Sequence, residues 1–404
     1  MNKRILIFTD NYPYGKSEPF LEPELKCIAR SFEKVSLIPL ERGRDKNMRE
    51  IPENIEIMNP VITEIKNRTG FIINGLFNTS LFFSLIKEGI NSGVWKSRTK
   101  FRIWFTHLLM IRSILTEIQD RNLIQIFNQF DILYFYWGLR WSQIIPFLPE
   151  NIKPKVIVRF HGSDLYEHTN SGYIPWRYKQ LSRIDHAIVI SDTGKKYLET
   201  QYPFFKGKIH LSRIGTKDYG QNPYIKSDII RIISCSNLIA VKRVGLIVKT
   251  LGFVKKRVEW VHFGDGPKRK EIEKLVARLP DNIDWKLAGS VNPEVIMNYY
   301  RTTSVDLFIN VSSSEGVPVS VMEAMSFGIP VIATNVGGTS EIVSEKTGLL
   351  IDRDFSLLKL ANKIEELANR TDLGKLRRAS REEWENKSMA DKVYPDFMNY
   401  LLLV

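Results

Sequence analysis

Residues 312–338, SSSEGVPVSVMEAMSFGIPVIATNVGG, decide the fold. The run VDLFIN before them, residues 305–310, is apolar between polar flanks and reads as a buried strand. A polar turn leads to Gly316, Val317 and Pro318, and proline suits the first turn of a helix, where the N–H it lacks would have no partner. Val321, Met322 and Met325 recur at helical spacing. Gly328 stops that helix and Pro330 keeps it stopped, so residues 331–334 form the next buried strand. The spacing predicts a strand–loop–helix–strand unit. Its loop meets a helix N-terminus, where unpaired N–H groups and the helix dipole favour a bound phosphate.

Two carboxylates lie in this unit, Glu315 in the loop and Glu323 on the helix. Eight residues of helix rise roughly 12 Å, and since part of the interval is loop the separation is expected to be shorter. One acid can then hold a sugar and the other a ribose, with a diphosphate between them. Taken singly, they would read as a turn residue and a solvated helix residue. The flanking EGVP, EAM, GIPVIAT and GG shift that balance. The pattern E-x7-E inside EGxP…EAM…GxPVI resembles the signature of glycosyltransferase family 4, retaining nucleotide-sugar enzymes with the GT-B fold. The resemblance extends over most of the chain, strongly in the C-terminal half and more loosely in the N-terminal half.

The bulk properties agree with an anionic ligand. The chain has 404 residues, enough for two or three domains, and 43% hydrophobic residues can build sizeable cores. Its formal charge of +13 favours a nucleotide diphosphate, an anionic membrane or nucleic acid. Cys27 and Cys235 both fall in apolar segments, so no disulfide framework is implied and a reducing cytosol is expected. The opening MNKRILIFTD reads as a first strand rather than a signal peptide. The longest apolar region, residues 71–86, is interrupted by Asn74, Gly75, Asn78 and Thr79, and it falls short of the ~20 residues that span a bilayer.

Along the chain, apolar strands are expected at residues 4–9, 34–39, 55–58, 132–136, 155–160 and 186–189. After the first strand comes the loop DNYPYGKS, with a helix expected from near Glu18. Gly15 in that loop is either an ordinary turn glycine or a point of close backbone approach to a ligand. Asp192 is expected to cap the helix that runs to about Tyr202. Residues 63–128 read as mostly helical. There Phe71, Phe77, Phe82, Phe83, Trp95, Phe101, Trp104 and Phe105 alternate with Lys66, Arg68, Lys87, Lys96, Arg98, Lys100, Arg102 and Arg112. Such interleaving suits an anionic membrane surface. A solvated helical face is the bland alternative, and binding of single-stranded nucleic acid the least favoured; no nucleic-acid partner is expected. Residues 215–226, rich in Gly, Pro and polar side chains, read as the interdomain linker. A second strand–helix series follows, with strands near 229–234, 259–263 and 283–287 and helices near 339–343 and 355–369. Ser388 is expected to cap a final helix containing Pro395.

The family resemblance implies two doubly wound, Rossmann-like α/β domains facing across a cleft that holds the active site. Residues 1–217 would be the acceptor domain, carrying the membrane-facing segment 63–128. Residues 218–387 would be the donor domain, and residues 388–404 a helix crossing back to the first. RFHGSDLYE resembles the family's HGxD segment, which puts His161 beside the donor sugar. The loop CSNLIAVKRVG resembles its basic phosphate loop. Lys242 matches the lysine on the diphosphate, while Asn237 stands where relatives often have arginine, so that Arg243 is the candidate replacement. Gly264–Pro267, GDGP, resembles a turn near the base. Glu315, His161 and Lys242 would be the catalytic residues, with Glu315 holding sugar hydroxyls at the reacting centre, and Glu323 would bind the ribose. Gly15, Gly316, Val317, Pro318, Lys242 and Arg243 would bind the rest of the donor.

The expected reaction is retaining glycosyl transfer from a nucleoside-diphosphate sugar, the co-substrate, to a glycan or lipid-linked acceptor. It would need no cofactor and no metal, in the cytoplasm or on the inner face of the cell membrane, in bacterial surface-polysaccharide synthesis. A GT-B sugar-nucleotide epimerase and a non-catalytic binding module are the alternatives. A dehydrogenase is disfavoured, since no GxGxxG opens either half.

Overall fold

A computed structural model describes residues 3–15, 17–43, 47–62 and 86–404. The chain forms two compact units, Met1–Ser212 with Tyr394–Val404, and Arg213–Val393. The expected divisions after residues 217 and 387 lie a few residues from these.

The first unit is built on seven parallel strands: β1 (Arg4–Thr9), β2 (Lys34–Pro39), β3 (Ile55–Ile57), β4 (Ile132–Phe135), β5 (Lys155–Phe160), β6 (His186–Val189) and β7 (Ile209–Leu211), in the order β3-β2-β1-β4-β5-β6-β7. The strands read as unbroken apolar runs because both faces of the sheet are covered. In β1, Leu6 and Phe8 enter one core with Phe127, Phe135 and Trp141, and Ile5 and Ile7 enter the other with Leu25, Ile28 and Tyr134. That second core also takes Phe397, Met398 and Leu401, so the helix Ala390–Leu403 ends inside the first unit.

Beneath those side chains lies a buried charge pair. Arg159 on β5 reaches Glu24 at 3.2 Å, with both side chains fully buried. The Tyr134 hydroxyl donates to Glu24 at 2.7 Å, and Arg159 donates to the Tyr134 oxygen at 2.6 Å and to the Ser212 carbonyl at 3.2 Å. Burial opposes charge on Arg159, but Glu24 and the surrounding tyrosines outweigh it and hold the guanidinium above its ordinary range. Its plane also stands over the Phe397 ring at 4.7 Å, so the C-terminal helix is tied to this pair.

The second unit is built on six parallel strands: β8 (Ile230–Cys235), β9 (Val258–Phe263), β10 (Ile283–Gly289), β11 (Leu307–Asn310), β12 (Val331–Thr334) and β13 (Gly348–Ile351), in the order β10-β9-β8-β11-β12-β13. In each sheet the strand order reverses at one point, between β1 and β4 and between β8 and β11. Open α/β sheets bind ligands beyond the carboxyl ends of the strands at such points. The deciding stretch is β11, a loop, the helix Val319–Ser326 and β12.

Several local expectations are corrected. The first helix runs Leu21–Ser31, because Glu18 adopts a left-handed φ of 57° and belongs to the preceding loop. Ser191, not Asp192, caps its helix, its hydroxyl accepting from the Gly194 N–H at 3.0 Å. Pro318 stands at the N-cap of Val319–Ser326 with extended backbone, one position earlier than the first turn. The segment near 339–343 is a single 3-10 turn, Thr339–Glu341.

Residues 63–85 lie outside the described residues, and with them Lys66, Arg68, Phe71, Phe77, Phe82 and Phe83. Among the described residues no helix is long and apolar enough to cross a membrane. The helix Arg98–Asp120 divides the remaining aromatics. Trp104 packs inward with Val94, Ile111, Tyr173 and Trp176, while Trp95, Phe101 and Phe105 stay 57%, 37% and 40% exposed.

Candidate active site

The carboxyl ends of β8 and β11 bring Lys242 and Glu315 together. The Lys242 ammonium lies 2.7 Å and 2.9 Å from the two Glu315 oxygens, and the Asn310 amide donates to Glu315 Oε1 at 3.2 Å. The two loops are joined directly, since the Ser313 N–H donates to the Val241 carbonyl at 2.8 Å. The Glu315 side chain is 9% exposed and Lys242 25%, so the pair is shielded without being sealed.

Close backbone approach fixes the Glu315 loop. Gly337 has φ +54°, and a Cβ there would stand 1.9 Å from the Glu315 carbonyl oxygen. The Gly338 N–H donates to the Gly316 carbonyl at 2.7 Å. Replacing Gly337 by alanine is therefore expected to lower stability by about 1–3 kcal/mol and to displace Glu315. Thermal unfolding reads the first effect. A Gly337→Ala protein with the wild-type midpoint and activity would show that the loop yields freely.

Beyond Glu315 the chain passes Gly316, Val317, which is buried, and Pro318, and enters Val319–Ser326. No acidic residue stands in the first turn of that helix to occupy its N-terminal N–H groups. Glu323 follows on the helix. Burial pushes its carboxyl up to about 7, with no cation offsetting the loss of water. The Cys235 thiol and the buried Tyr300 hydroxyl both sense its charge, and Cys235 is pushed up to about 12, first by burial and then by Glu323. The Tyr300 hydroxyl has no hydrogen-bond partner among the described residues.

Arg243, the candidate phosphate cation, is engaged by neighbouring backbone through three of its donors. Its guanidinium donates to the carbonyls of Val311 at 2.7 Å, Arg353 at 2.8 Å and Ser312 at 3.3 Å. It ties the two loops together, and its own φ of 48° turns the chain into the next helix. Asn237 lies in a loop held by GDGP: a Cβ at Gly264 would meet the Ser236 carbonyl oxygen at 1.9 Å, and the Leu238 N–H donates to the Asp265 carbonyl at 2.9 Å.

In the first unit, the carboxyl ends of β1, β4 and β5 carry a second group of polar residues. His161 is buried, and Asp164 holds its loop by accepting from the His161 N–H at 2.7 Å and the Gly138 N–H at 2.6 Å. The ring Nε2 lies 3.0 Å from the Tyr136 carbonyl, which can only accept, so Nε2 carries the proton and Nδ1 is the acceptor. Burial, and then the Arg159 charge, lower this imidazole to about 3, which favours its neutral form.

The loop after β1 is organised by Glu18, which the sequence suggested only as a helix start. Its carboxylate accepts from the backbone N–H groups of Asp10 at 3.1 Å, Asn11 at 2.9 Å and Tyr12 at 2.7 Å, and from the Trp137 indole at 2.7 Å. Gly15 has φ +68° and its N–H donates to the Asn47 carbonyl at 3.0 Å, so that N–H is engaged within the unit. Asn310 was also missed, and its place at the end of an apolar strand was the available signal.

The two doubly wound units define the GT-B fold. Residues 230–370, which hold Lys242, Glu315 and Glu323, match the family model described as Glycosyl transferases group 1. The chain is 28% identical over 205 residues to the sulfoquinovosyl transferase SQD2 of Arabidopsis thaliana, covering 46% of this chain and 39% of that protein. It is 27% identical over 184 residues to a component of the phosphatidylinositol N-acetylglucosaminyltransferase of the same plant, covering 43% and 40%. It thus spans well under two thirds of either relative's length. Among solved structures, HepE of Anabaena in complex with UDP superposes with a TM-score of 0.69 at 15% identity, covering 99% of this chain and all of that one.

Proposed function

We propose that this chain is a retaining glycosyltransferase that moves a sugar from a nucleoside-diphosphate donor to a glycan or lipid-linked glycan. The observation that carries this reading is the Lys242–Glu315 pair beside the N-terminus of Val319–Ser326, inside the region that matches group 1 glycosyltransferases. The donor's diphosphate takes Lys242 from Glu315 and meets the N–H groups of Gly316 and Val317 and those of the helix start beyond Pro318. The ammonium and those dipoles stabilise the charge that grows on the leaving phosphate, an electrostatic role that needs no metal. Glu315, released, accepts hydroxyls of the transferred sugar at the reacting centre. Glu323 accepts the ribose hydroxyls. In the first unit, neutral His161 offers Nδ1 to a sugar hydroxyl. The departing phosphate oxygen takes the acceptor proton on the face it leaves, which preserves the anomeric configuration.

A panel of nucleotide sugars screened by thermal shift selects the donor. Slow release of free sugar from that donor supports a transferase, formation of an epimer points to an isomerase, and neither points to a binding module. Unchanged turnover in EDTA supports the metal-free reading, and loss that Mg²⁺ or Mn²⁺ restores removes it. The anomeric coupling of the product reports retention or inversion.

The acceptor is proposed to be lipid-linked and reached from a membrane surface on the cytoplasmic side, in bacterial surface-polysaccharide assembly. Support comes from exposed Trp95, Phe101 and Phe105 among Lys96, Arg98 and Lys100, and from the lipid in the name of one relative. Each basic residue near an anionic leaflet contributes about 1 kcal/mol. Wild type is expected to co-sediment with anionic vesicles at low salt and to be released as salt rises. Reversing Lys96, Arg98 and Lys100 to glutamate is expected to abolish co-sedimentation while donor binding persists. Indifference of the wild type to anionic vesicles would refute the membrane reading.

A further inference from the structure

A cavity of about 250 Å³ opens in the first unit, where the helix Arg98–Asp120 faces the chain leaving β5. It has room for about eight waters' worth of liquid. Its walls are of three kinds. Thr99, Thr169, Asn170 and Ser171 supply hydroxyl and amide groups, Ile103 and Leu139 supply apolar surface, and Arg102, His107 and the Tyr173 phenol supply the titratable groups. No acidic side chain among the described residues lines it. It lies beside the His161 loop, at the carboxyl edge of the sheet, where this class of fold binds its ligands.

The polar wall is set in advance. The Asn170 amide donates to the carbonyls of Ser163 at 2.7 Å and Tyr166 at 3.0 Å, which leaves its oxygen as the acceptor toward a ligand. The orientation of Gln143 is fixed because its Oε1 accepts from the Arg140 N–H at 3.1 Å. His107 Nδ1, 2.7 Å from that same oxygen, must then carry the proton, leaving Nε2 to accept a hydroxyl. Burial lowers His107 further below its ordinary range, so it stays neutral. The charge in the cavity wall is therefore that of Arg102, which forms no ion pair or side-chain hydrogen bond with any described residue.

We propose that this cavity holds one sugar residue of the acceptor and that this residue carries a carboxylate or phosphate group facing Arg102. Hydroxyl acceptors at His107 and Asn170, an apolar surface for the C–H face of a pyranose and a guanidinium with no ion-pair partner among the described residues suit an acidic monosaccharide better than a neutral or purely apolar ligand. The inference deepens the proposed glycosyl transfer and rests on that reading for the word acceptor, but the site stands on its own geometry.

The test titrates the full chain with methyl glucuronide, glucose 6-phosphate and methyl glucoside by ligand-observed NMR. Wild type is expected to bind one or both anionic sugars saturably and at least tenfold better than methyl glucoside, and the stronger arm tells carboxylate from phosphate. Arg102→Ala is expected to lose that preference, and Thr99→Trp, which fills the cavity from the helix side, to lose all three probes. Equal binding of the anionic sugars by wild type and Arg102→Ala overturns the assignment of charge. Absence of saturable binding to wild type overturns the site. The nucleotide-sugar thermal shift, run on the same samples, keeps the two readings apart. A donor shift without sugar binding removes only the cavity, and sugar binding without any donor shift removes only the proposed transfer.

Discussion

Glu315→Gln is expected to lower turnover about 100-fold or more while donor affinity stays the same or improves. The geometry sets both halves of that result. Glutamine keeps the shape of the side chain and can still meet Asn310, but it no longer holds Lys242 at 2.7 Å and 2.9 Å. The ammonium, held at most by one neutral carbonyl oxygen, is then more readily given to a diphosphate, so binding does not suffer. The carboxylate that would steady the sugar as positive charge develops at its reacting carbon is gone, and that loss falls on kcat. Alanine at 315 should behave alike in turnover, with Lys242 left half-buried and unpaired. Steady-state kinetics with calorimetric donor binding separates the two quantities, and turnover equal to wild type would remove Glu315 from the chemistry.

Donor affinity is expected to rise about tenfold between pH 6 and pH 8, because in the proposed role Glu323 accepts both ribose hydroxyls only when ionised, and burial raises its carboxyl to about 7. Few other groups compete for this window. Burial lowers His161 to about 3 and His262 to about 4, and Cys235 titrates at about 12. Asp10, raised mainly by burial to about 7, and Asp164, raised mainly by burial to about 6, belong to the first unit, and Glu323→Gln serves as the control for both. That variant should bind donor weakly and without the pH dependence. Stability runs the other way. A carboxyl raised in the folded state binds protons that the unfolded chain releases, so its contribution is complete below the ordinary carboxyl range and is lost as pH rises through about 7. Glu323→Gln should therefore unfold at a higher temperature than wild type at pH 8, with the gap closing toward pH 5. Affinity that falls with pH, or a variant that keeps the wild-type profile, would show that Glu323 does not hold the ribose.

The stretch around Glu315 was legible because its signals agree. An apolar run, proline at a helix start, a helical apolar stripe and Gly-x-Pro at the stop all specify one strand–loop–helix–strand unit. The parallel sheets were legible for the same reason, as runs such as ILIF in β1 and LFI in β11 admit few readings. Elements with weaker patterns escaped notice. The strands β7 and β13 have three and four residues. The helix Leu373–Lys387, LGKLRRASREEWENK, hides its buried face of Leu376, Ser380 and Trp384 among charges. Arg243 shows a different limit. A basic residue beside a phosphate-type loop looks like a phosphate ligand, and only coordinates reveal that carbonyls from two distant loops take three of its five donors. Ser191 and Asp192 are both good caps, and the sequence alone does not rank them.

Glu18 gives the loop after β1 an unusual independence from solutes. Three backbone N–H groups and an indole converge on its carboxylate, so the concavity carries a tethered counter-ion in place of a diffusible one. Phosphate, sulfate or a nucleotide would have to evict a ligand whose effective concentration is set by covalent connection. The order of this loop should then be indifferent to buffer anions. Cutting the tether with Glu18→Ala turns the same loop into an anion receptor: its unfolding temperature should fall in chloride and climb back with added formate or acetate, small carboxylates that can re-enter the place the side chain left.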